Sequence, residues 1–245
     1  MQQRLTEILK SFIYKRFLRR RLGSPQVYMF NEIGSIFNNV NELIKNTTNI
    51  SNPEFETIDN EFALLETNLQ KRISLIRDSD TWEGPINVDS SKFIYFLVRK
   101  IRPETVVETG VSLGVSTFFI LNALNRNNHG KLNSFDILPN AGKLLSNKDK
   151  KRWCFTVLNR RHPQKDFAKE LDKIKNMNIF IHDSDHSYKN QLFEYESVLP
   201  RIVKGGYLLS DDIDYSFAFI DFVKKHKFSP NSLITNRAFG VIQVR

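Results

Sequence analysis

The sequence holds a single cysteine, Cys154, which excludes an internal disulfide and a cysteine-built zinc cage. It contains no run near the roughly eighteen apolar residues of a membrane-spanning helix. Its first residues lack the apolar core and small-residue cleavage site of a secretory signal, so a soluble, cytoplasmic protein is expected. No internal repeat or low-complexity tract is visible. Apolar material, by contrast, is plentiful. Of 245 residues, 40% are hydrophobic and 20 are phenylalanine, enough for one large core, and disorder throughout is excluded.

Acids are outnumbered by bases, 27 to 36, leaving a net charge of +9. Part of the excess sits in YKRFLRRRLG, residues 14–23, interleaved with Phe17, Leu18 and Leu22. With Phe12 and Ile13 this makes a basic amphipathic helix over residues 12–22. It could lie on an anionic membrane surface or a polyanion. The preferred reading packs its apolar side on its own domain or on a second subunit in a homo-oligomer.

The rhythm of the chain changes near residue 88. Before it, YMFNEIGSIFNNVNELIKN (28–46) and EFALLETNLQKRISLIRD (61–78) have helical spacing, separated by a polar run in which Pro53 acts as a breaker. Residues 1–87 are therefore expected to form a helical appendage, a lid or dimer contact, ahead of a main domain at 88–245. In that domain SSKFIYFLVRKI reads as a helix capped by Ser90 or Ser91. Strand-like runs then alternate with helical ones: TVVETG, KLNSFDI, RWCFTVLN, MNIFIHD, YLLSDD, SLITN and GVIQVR. Between the fourth and fifth runs, SYKNQLFEYESVLPRIV reads as a helix with Tyr188, Leu192, Tyr195, Leu199 and Ile202 on its face, stopped by Lys204-Gly205-Gly206. Alternation of this kind implies an α/β fold. The expectation is a Rossmann-like, doubly wound, mostly parallel sheet of seven strands with an antiparallel C-terminal strand. Such sheets bind ligands at the carboxyl ends of their strands.

VVETGVSLGVST, residues 106–117, lies where the first of these strands should turn into its helix. Gly110 can adopt the positive φ of a tight turn, and Gly114 lets a ligand approach the backbone. Asp136 ends the next strand, where a carboxylate can accept both hydroxyls of a ribose. The spacing is neither G-x-G-x-x-G nor a lysine-bearing phosphate loop, so no pyrophosphate cradle is spelled out. A glycine turn alone could merely link strand to helix. Joined to Asp136, it favours a nucleoside without phosphates.

The stretch IFIHDSDHSYKNQ (179–191) sets two histidines and two aspartates behind an apolar run, and YLLSDD ends in Asp211-Asp212. Neighbouring parallel strands present their carboxyl ends side by side, so Asp183, Asp211 and Asp212 could converge on a hard divalent cation, for which Mg²⁺ is suited. Three like charges in one cleft would otherwise repel. Asp185 and Tyr188 are read as scaffold, Asp185 capping the following helix, and His182 as pointing to the opposite side of the sheet.

Taken together, VVETGVSLGVST, SFDI, IFIHDSDHSY and VKGGYLLSDDI resemble class I S-adenosylmethionine-dependent methyltransferases. The resemblance is to the Methyltransferase-24-like branch, similar to metal-dependent sugar and small-molecule O-methyltransferases and to cephalosporin-hydroxylase-like proteins. It covers roughly residues 90–245. It implies that Glu108 and Gly110 line the methionine end of S-adenosylmethionine and that Asp136 holds the ribose. Ser112, Gly114, Ser116 and Asp183 belong to the same cofactor site, and the region of Asn159 and Arg160 faces the adenine. It further implies Mg²⁺ on Asp183, Asp211 and Asp212, with His186, three residues after Asp183, as general base. The reaction implied is methylation of a hydroxyl on a sugar, glycan or other small molecule.

Other classes have less in their favour. A nucleotide-cofactor oxidoreductase lacks the second glycine of the phosphate cradle, and a hydroxylase lacks a legible triad of two histidines and a carboxylate. A nucleic-acid methyltransferase fits the charge, but no Asn-Pro-Pro-Tyr or Asp-Pro-Pro-Tyr tetrapeptide follows the fourth strand. A non-catalytic domain would not need acids at both strand ends.

Overall fold

The computed structural model describes residues 25–76 and 88–245. The basic stretch at 12–22 lies outside the described residues. The first described elements are α1 (Pro25–Ile33), β1 (Ser35–Phe37), α2 (Val40–Thr48) and α3 (Asn52–Ile76). The helical spacing across 28–46 is thus two helices with a short strand between them. Gly34 makes the break: a Cβ there would sit 2.0 Å from the Pro230 carbonyl oxygen, and Ser35 N–H donates to that oxygen at 3.0 Å. Asn39 then caps α2, its side chain accepting from Asn41 N–H. Pro53 starts a helix instead of ending one. It lies in the first turn of α3, where the missing N–H has no intrahelical partner to lose.

The main alternation follows: α4 (Val88–Ile101), β2 (Thr105–Thr109), α5 (Val115–Asn127), β3 (Lys131–Asp136), β4 (Trp153–Val157), α6 (Pro163–Leu171), β5 (Met177–His182), α7 (Tyr188–Val198), β6 (Ile202–Ser210), α8 (Ala218–His226), β7 (Asn231–Ile234) and β8 (Ala238–Gln243). Ser90 and Ser91 lie inside α4 and are buried, so neither caps it. All seven expected strands form, and β1 makes an eighth. The order is β1-β7-β8-β6-β5-β2-β3-β4, with β8 antiparallel to both its neighbours and the other pairings parallel. Pro200 ends the helical run after α7 through a short 3₁₀ turn, so Lys204-Gly205-Gly206 lies inside β6. There Gly205, at φ +79°, lets the strand bulge against the 177–179 register.

All five residues of β2 are buried, as a strand covered on both faces requires. One face packs on α4 and α5, with α3 outside them; Phe62 of α3 stacks on Phe119 of α5 at 4.7 Å. The opposite face packs on α6, α7 and α8, with Phe30 of α1 edge-on to Phe219 of α8. Among the described residues no helix is long and apolar enough to cross a membrane. The chain leaves β2 for β3 and β4 on one side and returns to β5 on the other. The order in which strands are added therefore reverses between β2 and β5, where such folds leave a crevice at the strand ends.

Candidate active site

β2 ends at Thr109, and Gly110 turns the chain at φ +82° with its N–H donating to the Phe135 carbonyl. A Cβ on Gly110 would stand 1.9 Å from the Asp183 carbonyl oxygen, so this turn and the end of β5 touch backbone to backbone. The Gly110→Ala variant combines that collision with a left-handed φ. It is expected to lose about 2 kcal/mol or more of stability, measured by denaturant unfolding.

Asp136 organises the turn. Its Oδ2 accepts from Val111 N–H at 2.8 Å and Ser112 N–H at 2.9 Å, and its Oδ1 accepts from Leu138 N–H at 2.8 Å. A carboxylate offers about four lone-pair positions. Three are taken by backbone donors, so Asp136 has room for one further hydroxyl and not for the two expected from sequence. Gly114, at φ +93°, starts α5. Gly142 N–H donates to Ser112 O, and Leu144 N–H to Leu113 O, which ties the 138–152 segment to the turn.

Over this floor lies a cavity of about 590 Å³, within the range of small-molecule and cofactor sites. Gly110, Ser112, Asp136 and Asp183 line its polar side, Phe135, Leu158 and Phe167 form an apolar slot, and Arg160 stands at the edge. Three residues that the resemblance placed at the cofactor do not line it: Glu108, Gly114 and Ser116. Glu108 is fully buried behind the turn. Its two oxygens accept from Ser116, Thr117 and Ser134 hydroxyls at 2.6, 2.8 and 2.8 Å. Burial raises its pKa against the opposing pull of those three donors. Its place follows from the alternation of side chains along β2, which turns Glu108 toward α5 and Thr109 toward α7. Asn159 is not among the lining residues either; its Oδ1 accepts from Arg161 N–H.

The acid cluster forms beside the cavity, with Asp183 belonging to both. His186 Nε2 lies 3.8 Å from Asp183 Oδ1 and 3.7 Å from Asp212 Oδ2. Arg237 Nη1 lies 3.6 Å from Asp211 Oδ2 and 3.7 Å from Asp212 Oδ2. Dehydration and the repulsion of Asp211, Glu108 and Asp212 push the Asp183 carboxyl well above its ordinary range. Because 40% of its side chain is open to the cleft, repulsion is the firmer of these causes. Burial and then Asp212 push Asp211 up to about 7, against the pull of Arg237. Burial and then His182 push His186 down to about 4, against Asp212. His186 is therefore neutral at pH 7 and able to take a proton.

The donor set suits a hard divalent cation in charge and chemistry. Asp211 Oδ1 is buried without a hydrogen-bond partner, a lone pair left for something else. Among the described residues, however, no three His, Cys, Asp or Glu side chains are already drawn together as ligands. The carboxylates would have to converge to hold a metal.

Behind the cluster is a buried network that sequence reasoning missed. Glu194 of α7 accepts from Thr109 Oγ1, from Ser184 Oγ at 2.7 Å and from Asn190 Nδ2 at 3.0 Å, and pairs with His182 Nδ1 at 2.7 Å. His182 thus faces α7, while Asp183 turns to the cleft. Burial raises the Glu194 pKa, but His182 and these donors outweigh it and hold the group below its ordinary value. Asp185 is exposed and accepts from Ser187 N–H and Oγ; Ser187 itself caps α7. Tyr188 donates to Asp221 at 2.9 Å.

Comparisons with known proteins agree with this architecture. Residues 107–213 match the family model described as a methyltransferase domain. No curated protein matches the chain. Among solved structures, it is similar to an O-methyltransferase from Bacillus cereus in complex with SAH, at 12% identity and a TM-score of 0.59, over 73% of this chain and 91% of that one. It is similar to TomG of Streptomyces achromogenes, an O-methyltransferase of tomaymycin synthesis in complex with SAM, at 13% identity and a TM-score of 0.58, over 72% and 89%. The SAH-bound methyltransferase PaMTH1 of Podospora anserina matches at 12% identity and a TM-score of 0.55, over 78% and 96%. At such identities the likeness is one of fold.

Proposed function

We propose that this chain, which carries a methyltransferase domain over residues 107–213, is an S-adenosylmethionine-dependent O-methyltransferase acting on a hydroxyl of a sugar, glycan or other small molecule. The observation that carries the reading is the shared position of Asp183. It lines the nucleoside-sized cavity and also stands 3.8 Å from His186, so a proton acceptor borders the place where a methyl donor would end. The donor and TomG's SAM or the bacterial enzyme's SAH are the same ligand class, which supports the assignment.

The chain's residues divide the task. Phe135, Leu158 and Phe167 offer an apolar slot for a flat base. Asp136 has one acceptor position left for a ribose hydroxyl, and its other bonds hold the turn rigid. His186, neutral at pH 7, accepts the proton of the acceptor hydroxyl. The 183–186 turn sets that base beside the cavity, so the acceptor is held in position to react. When bound, S-adenosylmethionine supplies the electrophilic methyl group and leaves as S-adenosylhomocysteine. A divalent cation such as Mg²⁺ on Asp183, Asp211 and Asp212 would make the acceptor hydroxyl more acidic.

Calorimetry tests the cofactor. S-adenosylmethionine and S-adenosylhomocysteine are expected to bind at micromolar concentrations and NAD not at all; absence of binding by the first two removes the reading. Activity on a responding glycan or phenol should vanish with EDTA and return with Mg²⁺ or Mn²⁺. Indifference to EDTA would remove the metal while leaving methyl transfer.

A further inference from the structure

Arg237 is not part of any of the site residues read from sequence, yet its guanidinium stands against two of the three proposed ligands. It sits in the turn between β7 and β8, where Thr235 N–H donates to the Arg237 carbonyl at 3.1 Å. The next residue, Ala238, accepts from Ile213 N–H at 3.0 Å, which fixes the turn beside Asp211-Asp212. The contacts to Asp211 and Asp212 are 3.6 and 3.7 Å. Those lengths exceed hydrogen bonds, so the attraction is Coulombic. The side chain is 36% exposed, whereas that of Asp211 is 10% exposed. Arg237 can therefore swing into solvent and Asp211 cannot. Asp211 Oδ1 meanwhile is buried and without a hydrogen-bond partner, so Arg237 offsets the charge of the cluster without saturating it.

We infer that Arg237 is a resident counter-cation, an alternative occupant of the acid cluster that a divalent cation must displace. The inference rests on the metal reading of the proposed function. Arg237 and a metal would draw on the same two carboxylates, Asp211 and Asp212, and a dication beside a fixed guanidinium would be repelled. The consequence is twofold. The metal-free cleft keeps its acids apart from one another's full repulsion, and metal uptake requires movement of Arg237 away from them. Competition of this kind lowers the apparent metal affinity by the stability of the displaced contact.

The test is Mn²⁺ binding to the full chain by calorimetry, in the absence of acceptor. Arg237→Gln and Arg237→Met both remove the charge while keeping side-chain length near the original, and two variants guard against one failing to fold. Each is expected to bind Mn²⁺ about tenfold more tightly than the parent. Arg237→Lys, which keeps the charge, should stay within about threefold of it. Asp211→Asn should lose the tight site in either background. Equal or weaker binding by the neutral variants overturns the inference. So does failure of parent and variants alike to take up Mn²⁺, which would also remove the metal from the proposed function. Binding of S-adenosylhomocysteine in metal-free buffer, measured on the same samples, reports folding and tests the methyltransferase reading separately.

Discussion

Replacing His186 with alanine is expected to lower kcat by about two to four orders of magnitude, the usual contribution of a positioned general base. Affinity for S-adenosylhomocysteine should change by no more than about twofold, since His186 does not line the cavity. A loss confined to KM would show that it only binds the acceptor, and unchanged turnover would eliminate it as base. The pH profile separates the base from its neighbours. His186 is pushed down to about 4 and Asp211 up to about 7. The acidic limb of activity should therefore fall near pH 7 and belong to Asp211, whose protonation removes a ligand. Raising Mg²⁺ should move that limb to lower pH, because cation and proton compete for one carboxylate. A limb near 4 that ignores Mg²⁺ would instead be His186.

The same shift has a sign for stability. A raised carboxyl pKa contributes stability that is complete below the unfolded value of 3.8 and lost as pH rises through about 7. The metal-free protein is thus strained by Asp211 on the alkaline side. Added Mg²⁺ should raise Tm more at pH 8 than at pH 6.

Strand positions were legible because β2, β3, β5 and β6 are short apolar runs with polar ends, and a buried parallel sheet requires that pattern. The site acids were legible for a related reason: Asp136, Asp183 and Asp211-Asp212 each close such a run. Two kinds of feature were not. A local period could not reveal β1, because Ser35–Phe37 is a strand only by pairing with β7, nearly two hundred residues away. Helix α7 was legible only in part. The apolar spacing pointed to Tyr188, Leu192, Tyr195, Leu199 and Ile202, of which Tyr195 and Ile202 are buried and the others pack partly buried on the same core, but Asn190, Gln191 and Glu194 are buried as well. Polar side chains can take the inward face when they are bonded there, and hydrophobic periodicity has no means of seeing the partners. Arg237 was invisible likewise, since nothing in a terminal turn announces which acids lie beneath it.

Glu194 is where that hidden burial should carry the largest structural cost. Truncation to alanine is expected to lower stability by about 3 kcal/mol or more, because several buried donors lose one shared acceptor. Ser184 and His182 would lose their acceptor, and Thr109 and Asn190 one of theirs, at once. Glu194→Gln keeps the volume but turns an NH₂ group toward donors, so about 1–3 kcal/mol is expected. The comparison that decides the cause is the double variant His182→Phe with Glu194→Ala. Removing both partners leaves no orphaned imidazole, and part of the loss should be recovered. Simple additivity of the two changes would mean that the pair itself contributes nothing and that packing alone was lost. Acid provides an independent check. The folded pKa of Glu194 lies below its ordinary 4.5, so its contribution is present above that value and lost as pH falls through the lowered one. The difference between parent and Glu194→Ala in urea unfolding should therefore narrow in strong acid. Glu194 lines the cavity together with Ser184 and Asn190, so the truncation should also weaken S-adenosylhomocysteine binding, directly and by loosening the 183–186 turn, whereas His186→Ala leaves that binding intact.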